Sequence, residues 1–115
     1  MQQIPVQVHT FADLKQFDGQ LVVAHGIYRA VARPVKGALR SEPKDRAVLQ
    51  LDDGTDVYLE PLDSQRSPRA AAELRRFDAR RVRVEGTAHQ QMPARGQSLI
   101  APCLAGVTLI EEENQ

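Results

Sequence analysis

The chain has 115 residues, of which 42% are hydrophobic, with a single cysteine and 15 basic against 15 acidic side chains. That length and hydrophobic content suffice for one core in one domain, so neither a disulfide nor a structural metal is needed to hold the fold together. A net charge of zero removes the simplest electrostatic argument for a nucleic-acid or membrane partner and leaves only local patches that could support one.

The N-terminal region shows none of the features expected of a signal peptide and leads into a short helix, predicted at residues 10–18. The segment Met1–Pro5 has neither a basic start nor an apolar core, and no stretch of the chain approaches the roughly 20 apolar residues of a membrane span. We therefore expect a cytoplasmic protein that contacts no membrane. Thr10 and Asp13 have the spacing of a capping box that begins the helix. The apolar residues that should share its buried face are Phe11, Leu14 and Phe17.

A long, bent strand is predicted next. The run Leu21–Ala24 is apolar on both faces, and Gly26 interrupts the strand before it resumes through Val31. A glycine inside a strand favours a bulge or a sharp bend. A first strand that bends and contributes to two sheets is typical of a closed barrel. The polar stretch 33–46, with two prolines, a glycine and no periodicity, predicts a long loop.

Residues 47–51 and 55–59 predict a β-hairpin, and the positions of the apolar residues distinguish between two possible registers. A three-residue turn over 52–54 places Leu49 opposite Val57 and gathers the apolar side chains on one face. It also supplies a glycine where such a turn needs a positive φ. A two-residue turn would break this alternation, so we favour the longer one.

The second helix is predicted at residues 68–77. Ser67 and Pro68 combine an N-cap with a proline at the first helical position, which is a strong start signal. Arginines in the last turn suit the helix dipole. The residues expected on its buried side are Leu74 and Phe77, with Ala70 or Ala71.

Two further strand segments follow the second helix. The segment 80–88 alternates inward valines with outward charged side chains, and a polar loop over 89–97 leads to a last strand region at 99–110. Cys103 lies in an apolar run there, which favours a buried small hydrophobe over a reactive or metal-binding thiol. The acidic tail, 111–115, should be solvated and frayed.

This order of elements resembles the OB-fold, over residues 20–110 of a single domain spanning 1–115. Its most specific parts are 49–55 and 80–86, and the second is similar to the fourth-strand pattern G-x-x-V-x-V-x-G. Ala79 stands where such domains often have glycine. The resemblance implies a mainly β protein with a five-stranded OB-like barrel, a helix between strands three and four, and the short N-terminal helix in front.

No motif for catalysis, a metal or a cofactor stands out. His9, His25 and His89 are scattered without zinc-ligand spacing, and the acidic hairpin turn lacks the spacing of a calcium loop. Turn chemistry already explains those aspartates. The chain has neither a nucleophile elbow nor a phosphate-binding loop. We therefore expect no enzyme, no cofactor and no metal.

Charge distribution suggests a candidate binding surface. Basic residues concentrate in the 33–46 loop and from Arg66 to Arg83, whereas acidic residues concentrate around the hairpin turn and in the tail. OB domains commonly bind ligands on the face of strands two and three, bordered by two loops. The alternative is that these charges merely solvate a small domain. On the OB analogy, the candidate partner-binding residues are Tyr28, Arg33, Lys36, Arg40, Lys44, Arg46, Tyr58, His89 and Arg95.

Three functions are compatible with the sequence. Segments 49–61, 76–86 and 101–103 are similar to small bacterial proteins that resemble immunity proteins of polymorphic or type VI secreted toxins. That resemblance implies a non-catalytic protein-binding module that neutralises a cognate toxin by direct binding, and segregated charge patches suit such a partner. A single-stranded nucleic-acid-binding OB domain is the alternative, disfavoured because the chain has no tryptophan and carries acids beside the binding face. A small-ligand carrier or enzyme is third, and an enclosed polar pocket around His25 or His89 would favour it.

Overall fold

A computed structural model describes residues 6–32, 43–62, 64–91 and 101–113. Within these ranges the fold is mainly β, with six strands in one sheet and two short helices. The described residues include no helix long and apolar enough to cross a membrane. The strands are β1 (Val6–Val8), β2 (Leu21–Val31), β3 (Arg46–Gln50), β4 (Asp56–Leu59), β5 (Arg81–His89) and β6 (Cys103–Glu112), and the helices are α1 (Phe11–Gln16) and α2 (Ala71–Phe77).

The strands are ordered β1-β2-β3-β4-β6-β5, and β2 also pairs with β5. The long strand β2 makes this possible because it changes partner along its length. Residues 21–27 pair antiparallel with β5, whereas residues 27–31 pair antiparallel with β3. We expected this strand to contribute to two sheets, whereas the structure has one sheet in which β2 pairs with two different strands. β4 and β6 pair in parallel over two positions only.

The strand β1 was missed by the sequence analysis, so the expectation of five strands is short by one. β1 pairs in parallel with the first half of β2, with Val6 opposite Val22. It has only three residues, too few for an alternation to be recognised. Val8 is fully buried, so this short strand still contributes to the core.

The predicted N-terminal helix is confirmed as α1. Thr10 and Asp13 form the expected capping box, with each side chain accepting from the other's backbone N–H. The pKa of Asp13 lies below its usual range because the carboxylate accepts a hydrogen bond from the His9 N–H, with a further contribution from Thr10. Leu14 is fully buried, and Phe11 and Phe17 pack against the core beside it.

The predicted hairpin register is also confirmed. Leu49 lies opposite Val57, and the Leu51 N–H donates to the Thr55 carbonyl at 2.8 Å across the three-residue turn. Gly54 has a φ of 89°, as the turn requires. The side chains of Leu49 and Val57 are completely buried, so the alternation of this hairpin sets the inner face of the sheet.

The second helix begins later than predicted. α2 starts at Ala71, its N-cap Ala70 makes no side-chain hydrogen bond, and Ser67 is not the cap. The Arg69 N–H donates instead to the Asp45 carbonyl at 2.8 Å, and this long-range bond occupies the segment that was expected to form the first turn. Phe77 is buried and Leu74 is partly buried, as predicted, but Ala70 and Ala71 are exposed and do not complete the buried stripe.

The acidic tail is not frayed over the described residues. β6 continues to Glu112, and the Glu113 N–H donates to the Arg81 carbonyl at 2.9 Å. The charge pattern explains the difference, because β5 presents arginines to these glutamates across the ladder. Arg83 binds Glu111, and Arg81 binds Glu113 at 3.3 Å. These ion pairs hold the start of the tail against β5 as a strand.

Two backbones approach closely where β2 changes partner. A Cβ atom on Gly26 would lie 2.2 Å from the carbonyl oxygen of Gln50 on β3. The register between β2 and β5 runs unbroken across Gly26, so this glycine allows strands to approach and does not mark a bulge.

A buried carboxylate extends the contact between β4 and β6 beyond their last pair. The Glu60 N–H donates to the Leu104 carbonyl at 2.8 Å. The Glu60 carboxylate then accepts hydrogen bonds from the N–H groups of Gly106 at 3.0 Å and Val107 at 2.7 Å. Arg66 completes the arrangement by donating to the Val107 carbonyl at 2.6 Å. Side chains thus replace the backbone partner that β4 no longer provides.

Ala79 has a backbone conformation that favours glycine. Its φ of 65° lies in the left-handed region, which costs a residue with a Cβ about 1–2 kcal/mol. We expect Ala79→Gly to stabilise the fold by about 0.5–1 kcal/mol, since glycine removes that strain but gains entropy in the unfolded chain. Urea unfolding would measure it. Ala72→Gly, on an exposed helical position, should instead destabilise by about 1 kcal/mol. Destabilisation by both changes would contradict the prediction.

Candidate functional site

The predicted partner-binding residues are only partly described by the structure. Arg33, Lys36, Arg40 and Arg95 lie outside the described residues. Lys44 is exposed just before β3, and Arg46 opens that strand with its guanidinium 2.5 Å from the Asp45 carboxylate. The Arg46 Nε is buried and makes no hydrogen bond. The three remaining members, on β2, β4 and β5, do not all share one face.

Tyr28 faces the core, so its predicted position on the binding face is wrong. It lies opposite Leu49 in the β2–β3 ladder, and residues directly opposite each other share a face. Because Leu49 points inward, Tyr28 does too, and its side chain is fully buried. Its ring packs against Phe77 of α2, with 5.8 Å between the ring centroids. The long loop before β3 hid this register from sequence reasoning.

The Tyr28 hydroxyl belongs to a partly buried polar network with Glu73 and Arg69. It donates to the Glu73 carboxylate at 2.8 Å, and Arg69 binds both oxygens of that carboxylate at 2.7 and 2.9 Å. Burial, and then the hydrogen bond to Glu73, raises the pKa of Tyr28 well above its ordinary value. Burial alone would raise the pKa of Glu73, but the hydrogen bonds from Arg69 and Tyr28 outweigh it and hold that pKa below its usual value. This network anchors α2 to β2.

The network predicts acid sensitivity. Glu73→Gln should destabilise the fold at neutral pH, because the amide loses the ion pair with Arg69. Since the folded pKa of Glu73 lies below the unfolded value of about 4.3, the contribution is present above that value and is lost as the pH falls through the folded pKa. Urea unfolding at pH 7 and at pH 3 should therefore show a deficit that shrinks in acid. An equal deficit at both pH values would argue against this network. Glu112→Gln, at an exposed 3.8 Å contact with Arg80, should change little at either pH.

Tyr58 and His89 do share one face, on either side of Cys103. Tyr58 lies opposite Cys103 in the β4–β6 ladder, and His89 lies opposite Cys103 in the β5–β6 ladder. In the other direction, Val48 lies opposite Tyr58 and Arg29 lies opposite Val48. Cross-strand neighbours lie on the same side of a sheet, so these five residues form a continuous outer row. We call them the outer row: Arg29, Val48, Tyr58, Cys103 and His89.

The outer row combines exposed and buried members. Arg29 is exposed, Tyr58 and His89 are partly exposed, and Val48 and Cys103 are buried. The Tyr58 hydroxyl can donate a hydrogen bond, and burial, followed by the nearby Asp56 carboxylate, raises its pKa. Cys103 is the buried residue that the sequence indicated. The row therefore offers an aromatic ring, a guanidinium and an imidazole around an apolar centre.

Most arginines of the predicted basic span are neutralised by carboxylates. Arg81 contacts Asp52 at 3.1 Å as well as Glu113, and Arg83 binds Glu111 with its Nε at 2.9 Å. The other paired members lie at 2.7–3.8 Å from a carboxylate: Arg66 with Glu60, Arg69 with Glu73, and Arg80 with Glu112. Of this span, only Arg75 and Arg76 make no ion pair with the described residues. The basic patch expected from the sequence is thus largely paired with the acidic segments.

Two of the scattered histidines are brought together. The rings of His9 and His25 stack with centroids 4.6 Å apart. His25 contacts the Glu113 carboxylate through Nδ1 and the Gln7 side-chain oxygen through Nε2, at 2.5 Å for the latter. Both ring nitrogens of His25 are therefore engaged. Among the described residues no group of three or more histidine, cysteine, aspartate or glutamate side chains could hold a metal ion.

An open groove of about 210 Å³ lies between α2 and β6. Arg69, Glu73, Arg76 and Phe77 line it on the helix side, and residues 107–110 line it on the strand side. We call it the α2–β6 groove. Sequence reasoning missed it because it depends on how α2 sits relative to the last strand. The Arg69–Glu73 pair was detectable, since the two residues are four apart in the predicted second helix.

No protein-family model matches the chain, and neither a curated protein nor a solved structure matches it.

Proposed function

We propose that this chain is an OB-type domain that acts as a non-catalytic protein-binding module. The strand pairings support the OB-type arrangement. Neighbouring strands are hydrogen-bonded in the order β2-β3-β4-β6-β5, and β5 also pairs with β2, which closes the ring. α2 follows the third of these strands and precedes the fourth, where OB domains carry their helix. On this proposal β1 is an added strand beside a five-stranded barrel.

The outer row is the observation that carries the proposed function. It crosses β3 and β4, which correspond to strands two and three of an OB domain, and therefore lies where such domains bind their ligands. Tyrosine and arginine are the residue types enriched at protein interfaces, and here they flank buried apolar side chains. The narrower proposal, from the sequence resemblance, is that the partner is a secreted toxin domain whose active site or movement is blocked by binding.

Nucleic-acid binding is less well supported by the same observations. A single-strand binder needs a positive groove with aromatic platforms. Tyr28 is buried and cannot stack on a base, which leaves Tyr58 as the aromatic of the outer row. Carboxylates pair with most arginines of the basic span, so less free positive charge remains for phosphates.

Affinity capture tests the proposed function. The tagged full chain and its Tyr58→Ala variant would be used to capture partners from native lysate, with washing at high salt. We expect one protein to be retained in stoichiometric amount by the unchanged chain, and about 30-fold weaker binding by Tyr58→Ala, corresponding to about 2 kcal/mol for a central interface tyrosine. Arg75→Ala, exposed on α2 away from the outer row, is the matched control and should bind normally.

The other outcomes separate the alternatives. If nucleic acid is released by salt and no protein is retained, the chain is a nucleic-acid-binding domain and the protein-binding proposal is wrong. A retained protein whose binding is unaffected by Tyr58→Ala would place the interface elsewhere. If that protein inhibits growth when it is expressed without this chain, the narrower toxin-neutralising proposal gains support.

A further inference from the structure

A cluster of ionisable side chains joins β1 and the end of β6 to the outer face of the sheet. His25 on β2 lies at its centre, with its ring stacked on that of His9. Arg81 bridges two carboxylates, at 3.1 Å from Asp52 and 3.3 Å from Glu113. Asp52 also lies 3.9 Å from the His9 Nδ1. We call this group the histidine cluster: His9, His25, Asp52, Arg81 and Glu113.

The hydrogen-bond partners of His25 require a proton on each ring nitrogen. Nδ1 faces the Glu113 carboxylate and Nε2 faces the Gln7 Oε1 at 2.5 Å, and both of these oxygens only accept hydrogen bonds. A neutral imidazole carries a single N–H and can donate to one of them, whereas the imidazolium donates to both. The His25 side chain is 13% exposed, so little water reaches it to replace a lost partner.

The charges that face His25 favour the same proton. With both imidazoles neutral, the histidine cluster carries one negative charge, because it has two carboxylates and one guanidinium. On β5, Arg83 lies directly opposite His25 but is bound by Glu111 of β6, and Glu85 lies diagonally across on the same face. β1 contributes the uncharged Gln7. A proton on His25 therefore neutralises the cluster.

The two segments that His25 connects have few backbone hydrogen bonds of their own. β1 pairs with β2 over three positions and with no other strand among the described residues. Glu113 follows the last residue of β6, where its N–H donates to the Arg81 carbonyl. Because one imidazole contacts a side chain from each segment, its protonation state affects both attachments at once.

We propose that a proton on His25 acts as a latch, which holds β1 and the end of β6 against the sheet and releases both when the imidazole becomes neutral. Imidazole is the side chain that ordinarily changes charge between about pH 5 and 8, whereas carboxylates and guanidinium groups keep their charges over that range. The latch is therefore closed in mild acid and open in mild alkali. No member of the outer row belongs to the histidine cluster, so this inference does not rest on the proposed function.

NMR spectroscopy of the full chain at pH 5.5 and pH 8 tests the latch. The imidazole nitrogen shifts of His25 should show two N–H groups at pH 5.5 and one at pH 8. Protection of the Glu113 amide and of the β1 amides that pair with β2 should fall about three- to tenfold over the same interval, as expected when one charged hydrogen bond is lost. Protection would be measured by magnetisation transfer from water and corrected for the intrinsic effect of pH. The amide of Val84, inside β5, should not change.

Substitutions assign the effect to one imidazole. His25→Gln cannot take up the proton, so both segments should be weakly protected at both pH values. Glu113→Gln removes the charged acceptor and should reduce the pH dependence. His9→Gln removes the stacked ring and should retain most of it. His89→Gln, which removes a histidine outside the cluster, is the matched control and should retain all of it.

Three results would each overturn the proposal. The first is a single N–H on His25 at pH 5.5, with Nε2 accepting from the Gln7 amide group. The second is protection of β1 and Glu113 that stays constant or rises between pH 5.5 and pH 8. The third is an undiminished pH dependence in His25→Gln. None of these results alters the outcome of the capture experiment with Tyr58→Ala.

Discussion

Gly26→Ala is expected to destabilise the fold by at least about 3 kcal/mol, a large part of the total stability of a domain of this size. The added methyl group would lie 2.2 Å from the Gln50 carbonyl oxygen and 2.9 Å from its carbon. These are backbone atoms of β3, held in a ladder, so they cannot move aside as a flexible side chain could. Relief would require β2 and β3 to separate where β2 changes partners.

Gly86→Ala provides the graded comparison. A Cβ on Gly86 would lie 3.1 Å from the Ala105 carbonyl oxygen, a contact that a shift of a few tenths of an ångström relieves. We expect a cost of about 1 kcal/mol. Urea unfolding and the dispersion of amide resonances would measure both variants. Similar stabilities for the two would show that the Gly26 contact does not limit the fold.

Glu60→Ala is the second change with a large expected effect, about 3 kcal/mol. The Glu60 side chain is 3% exposed and satisfies two backbone N–H groups, those of Gly106 and Val107. Its removal leaves the buried Val107 N–H without an acceptor, which costs about 1–3 kcal/mol, and also removes the partner of the more exposed Gly106 N–H. Glu60 has a positive φ, but glutamate and alanine both carry a Cβ atom, so this backbone strain is the same before and after the substitution.

Two milder variants test this explanation. Glu60→Gln keeps one acceptor oxygen but brings an amide N–H₂ towards a backbone donor, so an intermediate loss is expected. Arg66→Ala removes a 59% exposed side chain and should cost about 1 kcal/mol or less. In urea unfolding, Arg66→Ala should therefore be the most stable of the three variants, Glu60→Gln intermediate and Glu60→Ala the least stable. A loss under 1 kcal/mol for Glu60→Ala would contradict the bridging role.

Local patterns predicted the local structure well. The capping box of Thr10, the turn at Gly54 and the alternation around Val82 each depend on residues close in sequence, and each is confirmed. Ser67 shows where this reasoning stops. It has the residue types of an N-cap, yet the contact that decides the start of α2 comes from the Asp45 carbonyl on a distant segment.

The candidate surfaces depend on pairings that a single sequence does not reveal. The hairpin register was enough to predict that the Tyr58 side chain lies on the opposite face of the sheet from Val57. The face on which Tyr28 lies depends instead on its pairing with Leu49, which is separated from it by a long loop. The neutralisation of Arg83 likewise depends on the ladder with Glu111. Acidic and basic segments were recognised separately, and only the strand order brings them together.

The pairing of β2 with β5 also constrains how the protein folds. Leu21 lies opposite Thr87, and β5 in turn pairs with β6 at the other end of the described chain. Such non-local pairing delays folding, since the entropy of closing long loops is lost before the contacts that repay it are made. During synthesis, β2 must therefore leave the ribosome long before its partner exists. Its apolar residues, such as Val22, would be exposed in the nascent chain, and exposed hydrophobic segments of this kind are prone to aggregate before folding is complete.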